Sequence, residues 1–168
     1  MIYYISGGER SGKSSFAQNL ALNLSNNPIY LATARILDKE MEVRVNRHKK
    51  DRDERWTTIE EELYLSRINL NHKTVVIDCV TLWLTNVFFT NNENVEKSLT
   101  FAKNEINNLQ IEQSNIIFVS NEIGMGLHAT NELSRKFVEL QGWVNQFIAK
   151  KADIAYFMVS GIPIKIKG

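Results

Sequence analysis

Short, nearly continuous apolar runs alternate along the chain with longer stretches in which apolar residues recur every three or four positions. The runs predict buried strands and the spaced stretches predict amphipathic helices. Residues 2–6 (IYYIS) are apolar and aromatic and stop at Gly7, which predicts a strand. Phe16, Leu20 and Leu24 stand four apart and predict a helix over 13–25. A second strand is expected at 28–34, and a helix at 36–50 with Leu37, Met41 and Val45 on one face. The β-branched run 74–80 (TVVIDCV) predicts a central strand. Helices are expected at 81–89 and 95–109, then a strand at 115–122. The last helix, 132–152, carries Phe137, Leu140, Val144 and Phe147 at helical spacing; a strand at 153–161 and a short edge strand at 162–167 close the chain. Strands separated by helix-length segments imply right-handed βαβ units, hence an α/β fold with a mostly parallel central sheet flanked by helices.

The chain has 168 residues, which suits a single domain spanning 1–168. With 20 basic and 19 acidic residues the formal net charge is +1. So even a balance argues against nucleic acid or an anionic membrane surface as the main partner. Cys79 is the one cysteine and has no partner for an internal disulfide, which points to a reducing, cytoplasmic setting. No basic segment followed by a long apolar stretch suggests a secretory leader, and no apolar run is long enough for a membrane span.

The strongest local signal is GGERSGKS, comprising Gly7, Gly8, Glu9, Arg10, Ser11, Gly12, Lys13 and Ser14. It fits the phosphate-binding pattern G-x-x-x-x-G-K-[ST], between a predicted strand and a predicted helix. The glycines let backbone N–H groups curl around a phosphate, Lys13 sets a cation against the β- and γ-phosphates, and Ser14 offers a hydroxyl to Mg²⁺. The helix that follows adds its positive N-terminus.

Asp78 ends the central strand, where a carboxylate faces the phosphate loop across the crevice and holds Mg²⁺ in P-loop proteins. The plainer reading is a helix cap, by Asp78 or by Thr81. The segment 120–137 opens a strand end, Asn121 and Glu122, into a loop with Gly124, Gly126 and His128; it is a substrate-binding loop or a capped connector. His48 lies in the charge run 42–56, beside Arg44, Arg47, Lys49 and Lys50. These cations favour a neutral, nucleophilic imidazole and suit a polyphosphate, although most such histidines are solvated surface groups.

Five stretches in this order, GGERSGKS, ATARILDKEMEVRVNRHKKDRDERWTTIEE, VIDCVTLWLTN, VSNEIGMG and LSRKFVELQGWVNQFIAKKAD, resemble the bifunctional adenosylcobinamide kinase/adenosylcobinamide-phosphate guanylyltransferase family of cobalamin biosynthesis. The resemblance covers essentially the whole chain. It implies a RecA-like P-loop NTPase fold and a homotrimer. It implies that adenosylcobinamide takes the γ-phosphoryl group of ATP or GTP. GTP then gives GMP to adenosylcobinamide phosphate, with pyrophosphate released, through a guanylyl-histidine that falls on His48. Lys13 serves both transfers. The implied nucleotide contacts are the loop Gly7–Ser14, Thr33, Ala34, Arg35, Lys49, Glu60 and Asp78, with Ser14 and Asp78 at the metal. Glu60 offers an acceptor pair to the N1–H and amino edge of guanine, which adenine lacks. The loop at 127–130 (LHAT) departs from a Val-Pro pair common in relatives, so the corrinoid contacts are the part of the likeness least carried by the residues.

Two rival classes share the loop. A simple P-loop kinase of a small alcohol needs Lys13 and Asp78 but no covalent His48. A nucleotide-dependent switch needs no acceptor.

Overall fold

The computed structural model of the protein describes residues 1–35, 39, 43, 52–126 and 128–168. The expected helix at 36–50, and with it His48 and Lys49, lies outside the described residues except for Lys39 and Val43, both helical.

The elements are β1 (Ile2–Gly7), α1 (Lys13–Leu24), β2 (Ile29–Ala32), β3 (Thr57–Glu60), a single 3₁₀ turn (Leu65–Arg67), β4 (Thr74–Asp78), α2 (Val80–Thr90), α3 (Val95–Asn107), β5 (Asn115–Asn121), α4 (Glu132–Lys151), β6 (Ile154–Val159) and β7 (Ile162–Lys167). The strands form one seven-stranded sheet in the order β3-β2-β4-β5-β1-β6-β7. Every pairing from β3 to β6 is parallel, and β7 alone runs antiparallel, against β6. The carboxyl ends of β1 to β6 therefore meet at one edge of the sheet, where α/β proteins hold ligands.

Alternation along the buried strands divides the core. Tyr3, Ile5, Val76, Ile117 and Val119 face α1 and its Ala17 and Ala21. Tyr4, Val75, Ile77, Ile116 and Phe118 face α2, α3 and α4, whose Trp83, Leu84, Phe88, Ala102, Leu140 and Val144 complete the larger cluster. Trp83 is fully buried, and losing a side chain of that size from a packed core costs about 3–5 kcal/mol.

Three expectations change. On α1 the expected line is only partly kept: Phe16 and Leu20 pack against the cluster, but Leu24 is exposed, and the fully buried face is Lys13, Ala17 and Ala21, because alanines allow the helix close to the sheet. A strand unseen in the sequence, β3, extends the sheet beside β2, with only Ile59 partly buried. The final strands form a hairpin: Ser160 (φ 50°) and Gly161 (φ 84°) both take the left-handed conformation that a two-residue turn requires, so β6 ends at Val159.

Candidate active site

Around the loop after β1, sequence and backbone agree closely. Gly7 has φ 153°, and a Cβ there would lie 2.6 Å from the Met158 carbonyl oxygen. Gly12 (φ 90°) precedes α1 and lies against the β6–β7 turn, where a Cβ would come within 3.1 Å of Gly161 Cα. Two backbone bonds brace the loop from its neighbours: Glu122 N–H donates to Gly7 O at 2.9 Å, and Gly161 N–H donates to Ser11 O at 3.0 Å. Gly12 has no side chain to cap α1, and its first turn, Lys13–Phe16, carries no acidic residue. The N-terminal N–H groups and the positive end of the dipole thus remain for an anion. Lys13 is 7% exposed, and its ammonium donates to Gly8 O and to Ser11 Oγ.

Asp78 ends β4, with one strand, β5, between it and β1. Tyr30 of β2 donates its hydroxyl to Asp78 Oδ2 at 2.8 Å. Burial first, and then the Asp78 carboxylate, push the Tyr30 hydroxyl well above its ordinary range, so it stays a donor at any working pH. The helix cap expected from Asp78 or Thr81 is supplied instead by Cys79, whose Sγ accepts Leu82 N–H at 3.4 Å. That leaves Asp78 out of the cap. Thr81 Oγ1 accepts Asn121 N–H at 3.1 Å. Burial and the neighbouring Asp78 charge raise the Cys79 thiol to about 12.

The stretch DCVTLWLTN proves to be a set of clips. Trp83 Nε1 donates to Leu63 O at 2.9 Å. Asn86 Nδ2 donates to Thr33 O at 2.9 Å and to Glu62 O at 3.1 Å. Thr33, fully buried, donates its hydroxyl to Cys79 O at 2.9 Å. α2 therefore holds the segments leaving β2 and β3 in place along the edge. Ala34 is partly buried, and Arg35 is exposed, with its Nε 3.7 Å from Glu62 Oε2.

Glu60 ends β3 and lines an open groove of about 400 Å³ together with Arg52, Asp53, Trp56 and Thr58. Strand alternation puts Trp56, Thr58 and Glu60 on one side. The Arg52 guanidinium stacks 3.7 Å from the Tyr30 ring centroid, and Trp56 meets Tyr30 edge-on. The groove lies four strands from β1, roughly 19 Å at ordinary strand spacing. In strand order, Asp78 on β4 stands between the loop on β1 and Glu60 on β3.

Of the expected site residues, Gly7 to Ser14, Thr33, Ala34, Arg35, Glu60 and Asp78 collect at the carboxyl edge, while His48 and Lys49 lie outside the described residues. Tyr30, Arg52 and Trp56 were not foreseen. The alternation of Trp56 with Thr58 and Glu60 was the signal available for Trp56; Tyr30 and Arg52 left none in the local pattern.

Comparison with known proteins adds the chemistry. A family model described as "Cobinamide kinase / cobinamide phosphate guanyltransferase" matches residues 3–166. A Pseudomonas aeruginosa protein named bifunctional adenosylcobalamin biosynthesis protein CobP is 36% identical over 172 residues, covering 98% of this chain and 96% of the relative. An Escherichia coli K12 protein named bifunctional adenosylcobalamin biosynthesis protein CobU is 34% identical over 183 residues, covering 99% of this chain and 100% of the relative. Among solved structures, the flagellar accessory protein FlaH from Methanocaldococcus jannaschii superposes with a TM-score of 0.46 at 15% identity, over 99% of this chain and 77% of that one. Matched by the family model over residues 3–166 and 34–36% identical to these relatives over nearly its whole length, the chain belongs to the cobinamide kinase / cobinamide phosphate guanyltransferase family.

Proposed function

We propose that this chain carries out both transfers: it phosphorylates adenosylcobinamide with ATP or GTP, then moves GMP from GTP onto the resulting phosphate, giving adenosyl-GDP-cobinamide and pyrophosphate. The observation that carries this reading is the braced Gly7–Ser14 loop on the same sheet edge as the strand ends Asp78 and Glu60, in a chain of this family.

The loop amides and Lys13 hold the polyphosphate and offset charge that builds on it in either transfer. Ser14 and Asp78 are hard oxygen donors, the set that Mg²⁺ takes alongside substrate phosphates. Among the described residues, Tyr30 bonds to Oδ2 of Asp78 and nothing bonds to Oδ1, which suits such an ion. Bound there, Mg²⁺ supplies charge neutralisation on the phosphates. Glu60 reads the donor edge of guanine, and Trp56 offers an apolar wall. Thr33, Ala34, Arg35 and Lys49 complete the nucleotide contacts. In the second transfer a neutral His48 attacks the α-phosphorus of GTP and pyrophosphate leaves; the cobinamide phosphate then displaces the imidazole, so one difficult displacement becomes two. The working protein is a cytoplasmic homotrimer.

The test supplies adenosylcobinamide with γ-labelled ATP and then with α-labelled GTP. Label from ATP should appear on the corrinoid first, and label from GTP should appear only after that phosphorylation. A corrinoid that takes phosphate but never GMP would leave a simple kinase in place of the bifunctional enzyme.

A further inference from the structure

β5 is the strand between the loop-bearing β1 and the Asp78-bearing β4, and the carboxylate it brings to the crevice is Glu122. Register fixes its height. Gly7 pairs with Asn121, so Glu122 stands one residue past the start of the phosphate loop, on the adjacent strand. Asp78 pairs with Val119, three residues below Glu122, or about 10 Å deeper at the rise of a strand. The two carboxylates also stand on opposite sides of the sheet. Asp78 bonds to Tyr30, which belongs to the cluster under α1. Glu122 continues the other row, Phe118 and Ser120, under α2 and α4.

The end of β5 is held with unusual care. A buried network of Ser120, Gln141 and Asn145 ties it to α4: Ser120 Oγ donates to Asn145 Oδ1 at 2.6 Å, and Gln141 Nε2 donates to Ser120 Oγ at 2.8 Å. Asn145 Nδ2 donates to Asn121 O at 3.2 Å, while Thr81 accepts Asn121 N–H. Glu122 N–H is bound to Gly7 O, and Glu122 Oε1 accepts Gly124 N–H at 2.7 Å. Gly124 leaves room for that seat, since a Cβ there would lie 3.1 Å from Oε1. A half-buried carboxylate is thus fixed in direction, next to the loop, on the side away from the Ser14–Asp78 pair. Core packing alone explains none of these polar contacts, and Gln141 Oε1, buried in the same network, has no partner among the described residues, a cost that packing would not select.

We propose that Glu122 is the general base of the phosphoryl transfer, taking the proton of the acceptor alcohol while Ser14 and Asp78 serve the metal side of the same polyphosphate. This rests on the kinase half of the function proposed above. In the step, the alcohol oxygen bonds to the γ-phosphorus, and the bond from that phosphorus to the β–γ bridging oxygen breaks. The nucleoside diphosphate leaves with the electron pair, and the hydroxyl proton passes to the Glu122 carboxylate, which later returns it to water. A positioned carboxylate serves protein kinases in this way. Guanylyl transfer has no such need, because its acceptor is a phosphate that is largely ionised at neutral pH.

The experiment compares Glu122→Gln with the wild type in two separate assays: phosphorylation of adenosylcobinamide, and guanylyl transfer to adenosylcobinamide phosphate supplied ready-made. The amide keeps the size of the side chain and the bond from Gly124. Expected is a fall of about 10²–10⁴ in kcat for phosphorylation, with the KM for nucleotide kept and guanylyl transfer retained. If the variant does not fold, Glu122→Asp decides, since it keeps a carboxylate drawn back by one methylene; impaired phosphorylation with intact guanylyl transfer supports the assignment. Equal loss of both reactions in a folded variant, or undiminished phosphorylation, overturns it. A wild-type protein that phosphorylates no corrinoid overturns the parent reading and this one together.

Discussion

Replacing Asn86 by alanine should loosen the crevice without touching any ligand. Its amide spans two segments: it donates to the carbonyl of buried Thr33 and, in an exposed bond, to Glu62 O. A neutral hydrogen bond contributes about 1 kcal/mol net, and a buried carbonyl left alone adds to the loss. The exposed bond is regained from water and is worth less. Together these give about 1.5–2 kcal/mol, which for a chain of this length lowers the melting temperature by roughly 3–8 °C. Asn86→Asp should lose at least as much, since a carboxylate would face two carbonyl oxygens. Thr85→Ala is the control. Thr85 donates its hydroxyl within its own helix, to Thr81 O at 2.9 Å, so its loss should stay within about 0.5 kcal/mol. Thermal unfolding without nucleotide reads the stability. GTP saturation of guanylyl transfer reads the function, where KM should rise more than kcat falls, because Asn86 positions the Thr33–Arg35 and Glu60–Glu62 segments. An Asn86→Ala protein that melts with the wild type, or one that loses kcat with KM unchanged, would refute the reasoning.

Three further outcomes follow from the site. Lys13→Ala should lower both transfers by about two to four orders of magnitude, as expected for one preorganised charge contact; near-normal rates in either assay would remove the loop from that reaction. Glu60→Gln turns part of an acceptor pair into a donor, so guanylyl transfer from GTP should fall more than phosphoryl transfer from ATP, and equal losses would make Glu60 a structural residue. Cys79, with its thiol raised to about 12, stays protonated below that pH; at pH 8 it should alkylate about three orders of magnitude more slowly than a free cysteine thiol and speed up as pH rises, which mass spectrometry of iodoacetamide-treated protein reads.

Much of the architecture was legible because its causes are local. The alternation of apolar runs with helical spacing gave six of the strands, and GGERSGKS specified the loop because its glycine positions are backbone requirements. β3 was missed because Thr57–Glu60 is short and mostly exposed, so its sequence carries little burial signal. The stripe on α1 was right at Phe16 and Leu20 but missed the closest face, where helix–sheet proximity selected Ala17 and Ala21 over larger residues. Trp83 and Asn86 stand out in the sequence, but their bonds reach 20 to 53 residues away, and no local pattern encodes such partners. Cysteine is seldom a helix cap, so Cys79 was passed over for Asp78 and Thr81. Glu122 showed only as a strand end; the register with Gly7 is what gives it a place beside the phosphates.

The most direct test is covalent labelling of the wild-type protein by α-labelled GTP with Mg²⁺. If one cradle serves both transfers and His48 carries the guanylyl group, the protein should acquire GMP in a bond that is labile in acid and stable in alkali. γ-Labelled GTP should leave nothing, His48→Ala should take no label while keeping most of its kinase activity, and labelling should slow toward pH 5 as the imidazole is protonated. Unlabelled wild-type protein that still phosphorylates the corrinoid, or acid-labile labelling that persists in His48→Ala, would contradict it.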